Sequence, residues 1–166
     1  MLDRVRKGPG GDVVFCDDIR QENNGKALII GAYPGPGITV FSDRWPVSIP
    51  RLGFAVRYYE EKETFPSFKT ISIYLPGAEE PLLKSDIPPQ ALALNVRPPD
   101  FEEMPLRGLN INIALSPIMI PKEGRIRVYI SNETERMMLG SIYVSIAPPP
   151  LSPLVVNNPP LNPPRP

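Results

Sequence analysis

Histidine is missing from all 166 residues. It is the usual side chain titrating near neutral pH and the commonest metal ligand, so its absence removes Ser-His-Asp and Cys-His catalysis and every His-ligated zinc or iron site. A single cysteine, Cys16, excludes an internal disulfide and a Cys-rich zinc centre; in its apolar run it reads as a small buried hydrophobe. Net charge is also lacking: 18 basic residues balance 18 acidic ones. No overall field steers the chain to nucleic acid or an anionic membrane, and only a local patch is left as an electrostatic device. No apolar run approaches the roughly 18 residues of a membrane span, and none of signal-peptide length follows Met1–Gly11. A cytoplasmic protein is therefore expected. Asn132-Glu133-Thr134 fits a glycosylation acceptor but carries no weight without a secretion signal.

Proline is abundant, 24 residues with nine among the last 20. Each removes a backbone donor and breaks a helix interior, so long helices are excluded along most of the chain. Between the prolines the apolar residues recur with period two, the repeat of a half-buried strand. Leu52, Phe54, Val56 and Tyr58 share one face of residues 51–60, and Ile71, Ile73 and Leu75 share one face of 68–75. Glu60-Glu61-Lys62-Glu63 reads as the charged loop between these two. Leu109, Ile111, Ile113 and Leu115 alternate with Asn110, Asn112 and Ala114, and Ile126, Val128 and Ile130 follow after a turn at Lys122-Glu123-Gly124. The last pattern aligns Ile142, Val144 and Ile146 beyond Gly140, which marks a bulge or the strand start. Strands at 13–16 and 26–33 and a weaker one at 91–96 bring the total to about eight. Brief helical turns are expected only at 87–92 and 100–104.

Short, evenly spaced strands with turns between them predict an all-β fold, an antiparallel β-sandwich of seven to nine strands resembling immunoglobulin-like or C2-like domains. The expected organisation is an N-terminal arm at 1–10, the sandwich at 11–147 and an extended proline-rich tail at 148–166 with polyproline II character.

The candidate site lies in the first third. Two apolar runs flank Asp17, Asp18, Ile19, Arg20, Gln21 and Glu22, followed by Asn24-Gly25, which reads as two strands joined by a charged loop closing on a tight turn. Asp17, Asp18 and Glu22 offer oxygen ligands suited to calcium, but Arg20 and Lys26 compete for them and no second acidic loop completes a site. A carboxylate pair for glycoside hydrolysis could be drawn from Glu60, Glu61, Glu63, Asp100, Glu102 and Glu103, but these acids cluster between strands, where solvated faces are the norm, and no sugar platform is evident beyond Trp45, Tyr58 and Tyr59. Residues 31–37 carry glycines but no Gly-Lys-Ser/Thr, and their prolines remove the amide donors of a phosphate cradle. In the tail, Pro160, Pro163 and Arg165 match a short proline ligand with a basic flank.

The run Val14-Phe15-Cys16-Asp17-Asp18-Ile19-Arg20-Gln21-Glu22, then Asn24-Gly25-Lys26, then Leu28-Ile29-Ile30-Gly31-Ala32-Tyr33, resembles the amino-terminal signature of an uncharacterised bacterial domain family. Leu139-Gly140-Ser141-Ile142-Tyr143-Val144 is similar to that family's closing strand. The resemblance implies one small domain over about 11–146 and transfers no catalytic residue. The expected function is thus a non-enzymatic protein-interaction or structural module, with no cofactor, no metal and no nucleic-acid or membrane partner. A virion or other assembly component that clasps neighbours with the proline-rich arm is the alternative. A calcium-dependent binder or hydrolase ranks behind both.

Overall fold

The computed structural model describes residues 9–24, 26–61, 63, 65, 67–89 and 106–150. Its regular elements are all strands: β1 (Gly10–Gln21), β2 (Ala27–Ala32), β3 (Gly37–Phe41), β4 (Val47–Ile49), β5 (Leu52–Glu61), β6 (Lys69–Tyr74), β7 (Leu83–Ile87), β8 (Leu106–Leu115), β9 (Ile118–Ile120), β10 (Gly124–Ser131) and β11 (Arg136–Ala147). They form a four-stranded sheet in the order β2-β1-β5-β8, a five-stranded sheet in the order β3-β11-β10-β6-β7, and a two-stranded β4-β9 pair. Every pairing is antiparallel except β3 with β11. The all-β sandwich expected from the alternation is the fold observed.

The alternating faces close one core. Leu52, Phe54, Val56 and Tyr58 of β5 meet Ile71 and Ile73 of β6, Ile126, Val128 and Ile130 of β10, and Ile142 and Val144 of β11. Each branched or aromatic side chain so buried is worth about 1.5–3 kcal/mol of transfer free energy. Phe15 and Phe54 meet edge to face, centroids 5.7 Å apart. At Gly140 the two sheets approach closely: a Cβ there would lie 3.1 Å from Val13 Cβ and 3.6 Å from the Phe15 ring. The register slips beside it, since Val128 faces Gly140 while Tyr129 faces Met138. Leu139 is the extra residue of a bulge and turns inward, 7% exposed.

Four expectations change. Eleven strands among the described residues replace seven to nine, because 34–50, 83–87 and 117–123 contain β3, β4, β7 and β9; Val47, Ile49, Ile118 and Ile120 all enter the core. The polar run after Cys16 is no loop, since β1 continues to Gln21 and pairs with β2. Glu60 and Glu61 belong to β5, not to the charged loop. Of the helical turn expected at 87–92, Ile87 instead ends β7, Pro89 is helical, and 90–92 lie outside the described residues. The strand expected at 91–96 and the turn at 100–104 lie outside the described residues, as do Gly25, Pro160, Pro163 and Arg165.

Candidate functional site

β1 changes partners along its length. Gly10–Cys16 pair with β5, whereas Cys16–Gln21 pair with β2, so past the start of β5 the second half of β1 and all of β2 form a two-stranded ribbon. Neighbouring residues of a strand point to opposite faces, and this separates the expected site residues into two groups. Asp18 lies opposite Ile30 and Cys16 opposite Ala32, and the Asp17 side chain lies against Gly31.

On one face the Tyr33 hydroxyl donates to Asp17 Oδ1 at 2.6 Å. Gly31 lies beneath that carboxylate with φ +63°, where any Cβ would collide with the Asp17 carboxylate. Burial, then the bond to Asp17 and its charge, push the Tyr33 phenol up to about 12. On the other face Asp18 Oδ1 accepts from the Ile19 amide at 2.8 Å and meets Arg51 Nη2 at 2.7 Å, while Oδ2 accepts from Arg20 Nε at 3.2 Å. Burial works to raise the Asp18 pKa, but the Arg20 hydrogen bond, the Arg51 charge and the Ile19 amide together hold the carboxyl below its ordinary value. At the ribbon's end Glu22 Oε2 accepts from Asn24 Nδ2, and Asn24 Oδ1 accepts from the Lys26 amide.

The structure thus brings Asp18 and Arg20 together, recruits Arg51 to them, and keeps Asp17 and Glu22 apart. The acids do not converge, and among the described residues no three His, Cys, Asp or Glu side chains group in a way that could hold a metal ion. Cys16 is fully buried. Its burial, then the charges of Asp17 and Asp18, raise the thiol pKa, the opposite of what activates a nucleophile. What the ribbon offers chemically is its backbone. β2 is the outer strand of its sheet, its six residues contain neither a charge nor a proline, and Leu28 and Ile29 are 48% and 40% exposed.

Two further features escaped the sequence reading. One is buried: Lys69, on β6, contacts Glu60 Oε1, on β5, with side chains 1% and 4% exposed. Tyr58 donates to Glu60 Oε2 at 2.6 Å, and Lys69 Nζ donates to the Phe65 carbonyl at 3.0 Å and to Ser67 Oγ at 2.9 Å. Beside them lies a cavity of about 20 Å³ lined in part by Ser131, Asn132 and Glu135, room for about one water molecule. The period of two was the available signal, because it puts Lys69 on the face of Ile71 and Ile73. The other is the outward face of the five-stranded sheet, where Arg125, Arg127 and Arg136 are interleaved with Tyr74, Tyr129 and Tyr143. Alternation already sets Arg125, Arg127 and Tyr129 on the face opposite Ile126, Val128 and Ile130; what it could not show is that β6 and β11 bring Tyr74, Tyr143 and Arg136 beside them.

Searches of family models, curated proteins and solved structures found no match to this chain. Among the described residues no helix is long and apolar enough to cross a membrane.

Proposed function

We propose that the chain is a non-enzymatic protein-interaction module whose contact element is the β1–β2 ribbon. The uncharged, proline-free outer strand β2 carries this reading. Sheet edges present a row of open N–H and C=O groups, and they are ordinarily blunted with lysine, proline or a bulge. β2 has none of these over Ala27–Ala32, and it adds exposed Leu28 and Ile29. A two-stranded ribbon is marginal in water by itself; a third strand from a partner would extend its hydrogen-bond ladder and cover those side chains. The absence of histidine and the separate engagement of Asp17, Asp18 and Glu22 support a binding role over a catalytic one.

The same edge supports the second reading, assembly from copies of this chain, because an antiparallel strand pairs with its own two-fold copy. Ile29→Lys tests both. The variant should keep its circular dichroism spectrum and melting temperature while losing capture of the native partner, or losing concentration-dependent sedimentation if the partner is another copy. Unchanged capture and unchanged sedimentation would defeat the edge reading.

A further inference from the structure

We propose that the outward face of the five-stranded sheet binds an acidic, extended polypeptide segment of a partner protein. Elsewhere three arginines on or beside the four-stranded sheet have acid partners: Arg20 and Arg51 meet Asp18, and Arg57 meets Asp12. Arg125, Arg127 and Arg136 have no carboxylate within 4.0 Å among the described residues. Glu123 and Asp86 lie near this face and accept from the Tyr143 hydroxyl at 2.8 Å and the Thr70 hydroxyl at 2.7 Å, and neither forms an ion pair with these arginines. Three guanidinium groups on adjacent strands therefore stand on this face without a direct ion pair among the described residues, in a chain whose total charge is zero.

Two of them are held in place. The Arg136 guanidinium lies 3.9 Å from the Tyr129 ring centre and 4.7 Å from that of Tyr74, whose rings meet at 87°. Arg125 lies 5.8 Å from the Tyr143 ring and donates to Ser141 Oγ at 3.2 Å. A guanidinium laid over a ring keeps its planar fork of N–H donors free for a carboxylate, and a held fork loses less entropy when it binds. Bidentate pairing of this kind is the strong form of the arginine–oxyanion contact.

Spacing and ring coverage favour a peptide over a nucleic acid. Arg125 and Arg127 are two residues apart on one strand face, about 6.6–6.8 Å at the rise of a β-strand. An extended chain presents alternate side chains on one side at that same repeat, so glutamates at every second position match the arginines. Sequence-tolerant nucleic-acid platforms need open aromatic faces for bases, whereas here arginines lie over Tyr74, Tyr129 and Tyr143. Met138, 54% exposed and paired with Tyr129, supplies an apolar contact beside the charges.

This face is distinct from the β2 edge, so the two readings fail separately. The test is fluorescence anisotropy with a labelled peptide alternating Glu and Val, its Gln–Val counterpart, and labelled oligo-dT as the rival probe. The Glu peptide should bind at low ionic strength and weaken with salt, and the Gln peptide should not. Arg125→Gln with Arg136→Gln should weaken binding at least about tenfold, the loss of roughly one charge-assisted contact, with an unchanged circular dichroism spectrum and a melting temperature within a few degrees of the parent. Arg125→Lys with Arg136→Lys keeps the charge without the fork and should fall between. Equal binding of both peptides, no binding, an unaffected Gln variant, or a preference for oligo-dT would each overturn the assignment.

Discussion

Lys69 and Glu60 pair across the interior of the sandwich, from strands of opposite sheets, with almost no exposure of either side chain. An ion pair so placed has to offset a large desolvation cost, and it does so with further polar contacts. Tyr58 serves the carboxylate, while the Phe65 carbonyl and Ser67 serve the ammonium. The pair also fixes how β5 lies over β6, since a slip of either strand would strand a charge in the core. Burial and the Glu60 carboxylate raise the Tyr58 pKa, which keeps this phenol a donor over the whole working range of pH.

Lys69→Met should therefore cost about 3–5 kcal/mol, because Glu60 loses its buried counter-charge and keeps only the Tyr58 hydroxyl. Adding Glu60→Leu should recover most of that loss and leave the double variant close to, or above, the parent. Urea denaturation of the parent, single and double variants measures the coupling. Additive losses would mean that the pair does not act as a unit.

Asp18→Asn probes the ribbon's other anchor. The folded-state pKa of Asp18 is depressed below 3.8, so its contribution is present above the unfolded value and is lost as pH falls through the folded one. The parent's melting temperature should drop as pH falls below about 4, with a shallower drop in the variant and a melting temperature lowered by a few degrees at neutral pH. Thermal melts across that range, read by circular dichroism, would show equal slopes if Asp18 were idle.

Tyr33 carries the opposite sign. Its pKa rises from 10.0 to about 12 on folding, so its contribution is complete below pH 10 and is lost as pH climbs from 10 toward 12. Tyr33→Phe should flatten that alkaline decline, leaving the part owed to Tyr58 and Tyr143, whose pKa values are also raised. Spectrophotometric titration of the phenols, with melts at matched pH, separates the three.

Gly31→Ala forces a side chain into a positive-φ position and against the Asp17 carboxylate. The expected cost is about 1–3 kcal/mol. Loss of the Asp17–Tyr33 contact should follow, visible as a Tyr33 pKa moving back toward 10.0 by phenol titration. An alanine variant with parental stability and titration would mean the backbone relaxes freely there.

Cys16 should resist modification in the native state. It is fully buried and its thiol pKa is raised, so reaction with an aromatic disulfide reagent requires local opening. Labelling should be slow in buffer and immediate in concentrated urea. Fast native labelling would show that the end of β1 opens readily.

Wherever one strand face is wet and the other dry, the sequence was readable. β5, β6, β8, β10 and β11 declare themselves through alternation because each lays one side on the core. The ribbon defeats that rule. Both sides of 17–21 meet solvent over much of their area, so Asp17, Asp18 and Arg20 read as loop even though they pair in register. β4 and β9 are three residues long with prolines at either side, too short for any period to emerge. Glu60 and Lys69 were hidden by the ordinary expectation that charge lies outside, although period two put each on the inward face. The candidate site was legible as a cluster of polar residues; its division into two faces was not, because that depends on how far β1 extends.

β3 has a consequence for the order of events in making this molecule. It pairs in parallel with β11, Ile38 opposite Val144 and Val40 opposite Ile146, and Thr39 reaches Ser145 across 106 positions of chain. Contacts of such long sequence separation form late. On the ribosome, residues 37–41 must wait, without this pairing, until β11 has emerged. A nascent chain halted before residue 143 would hold Ile38 and Val40 without a sheet to join, a species suited to chaperone capture or aggregation.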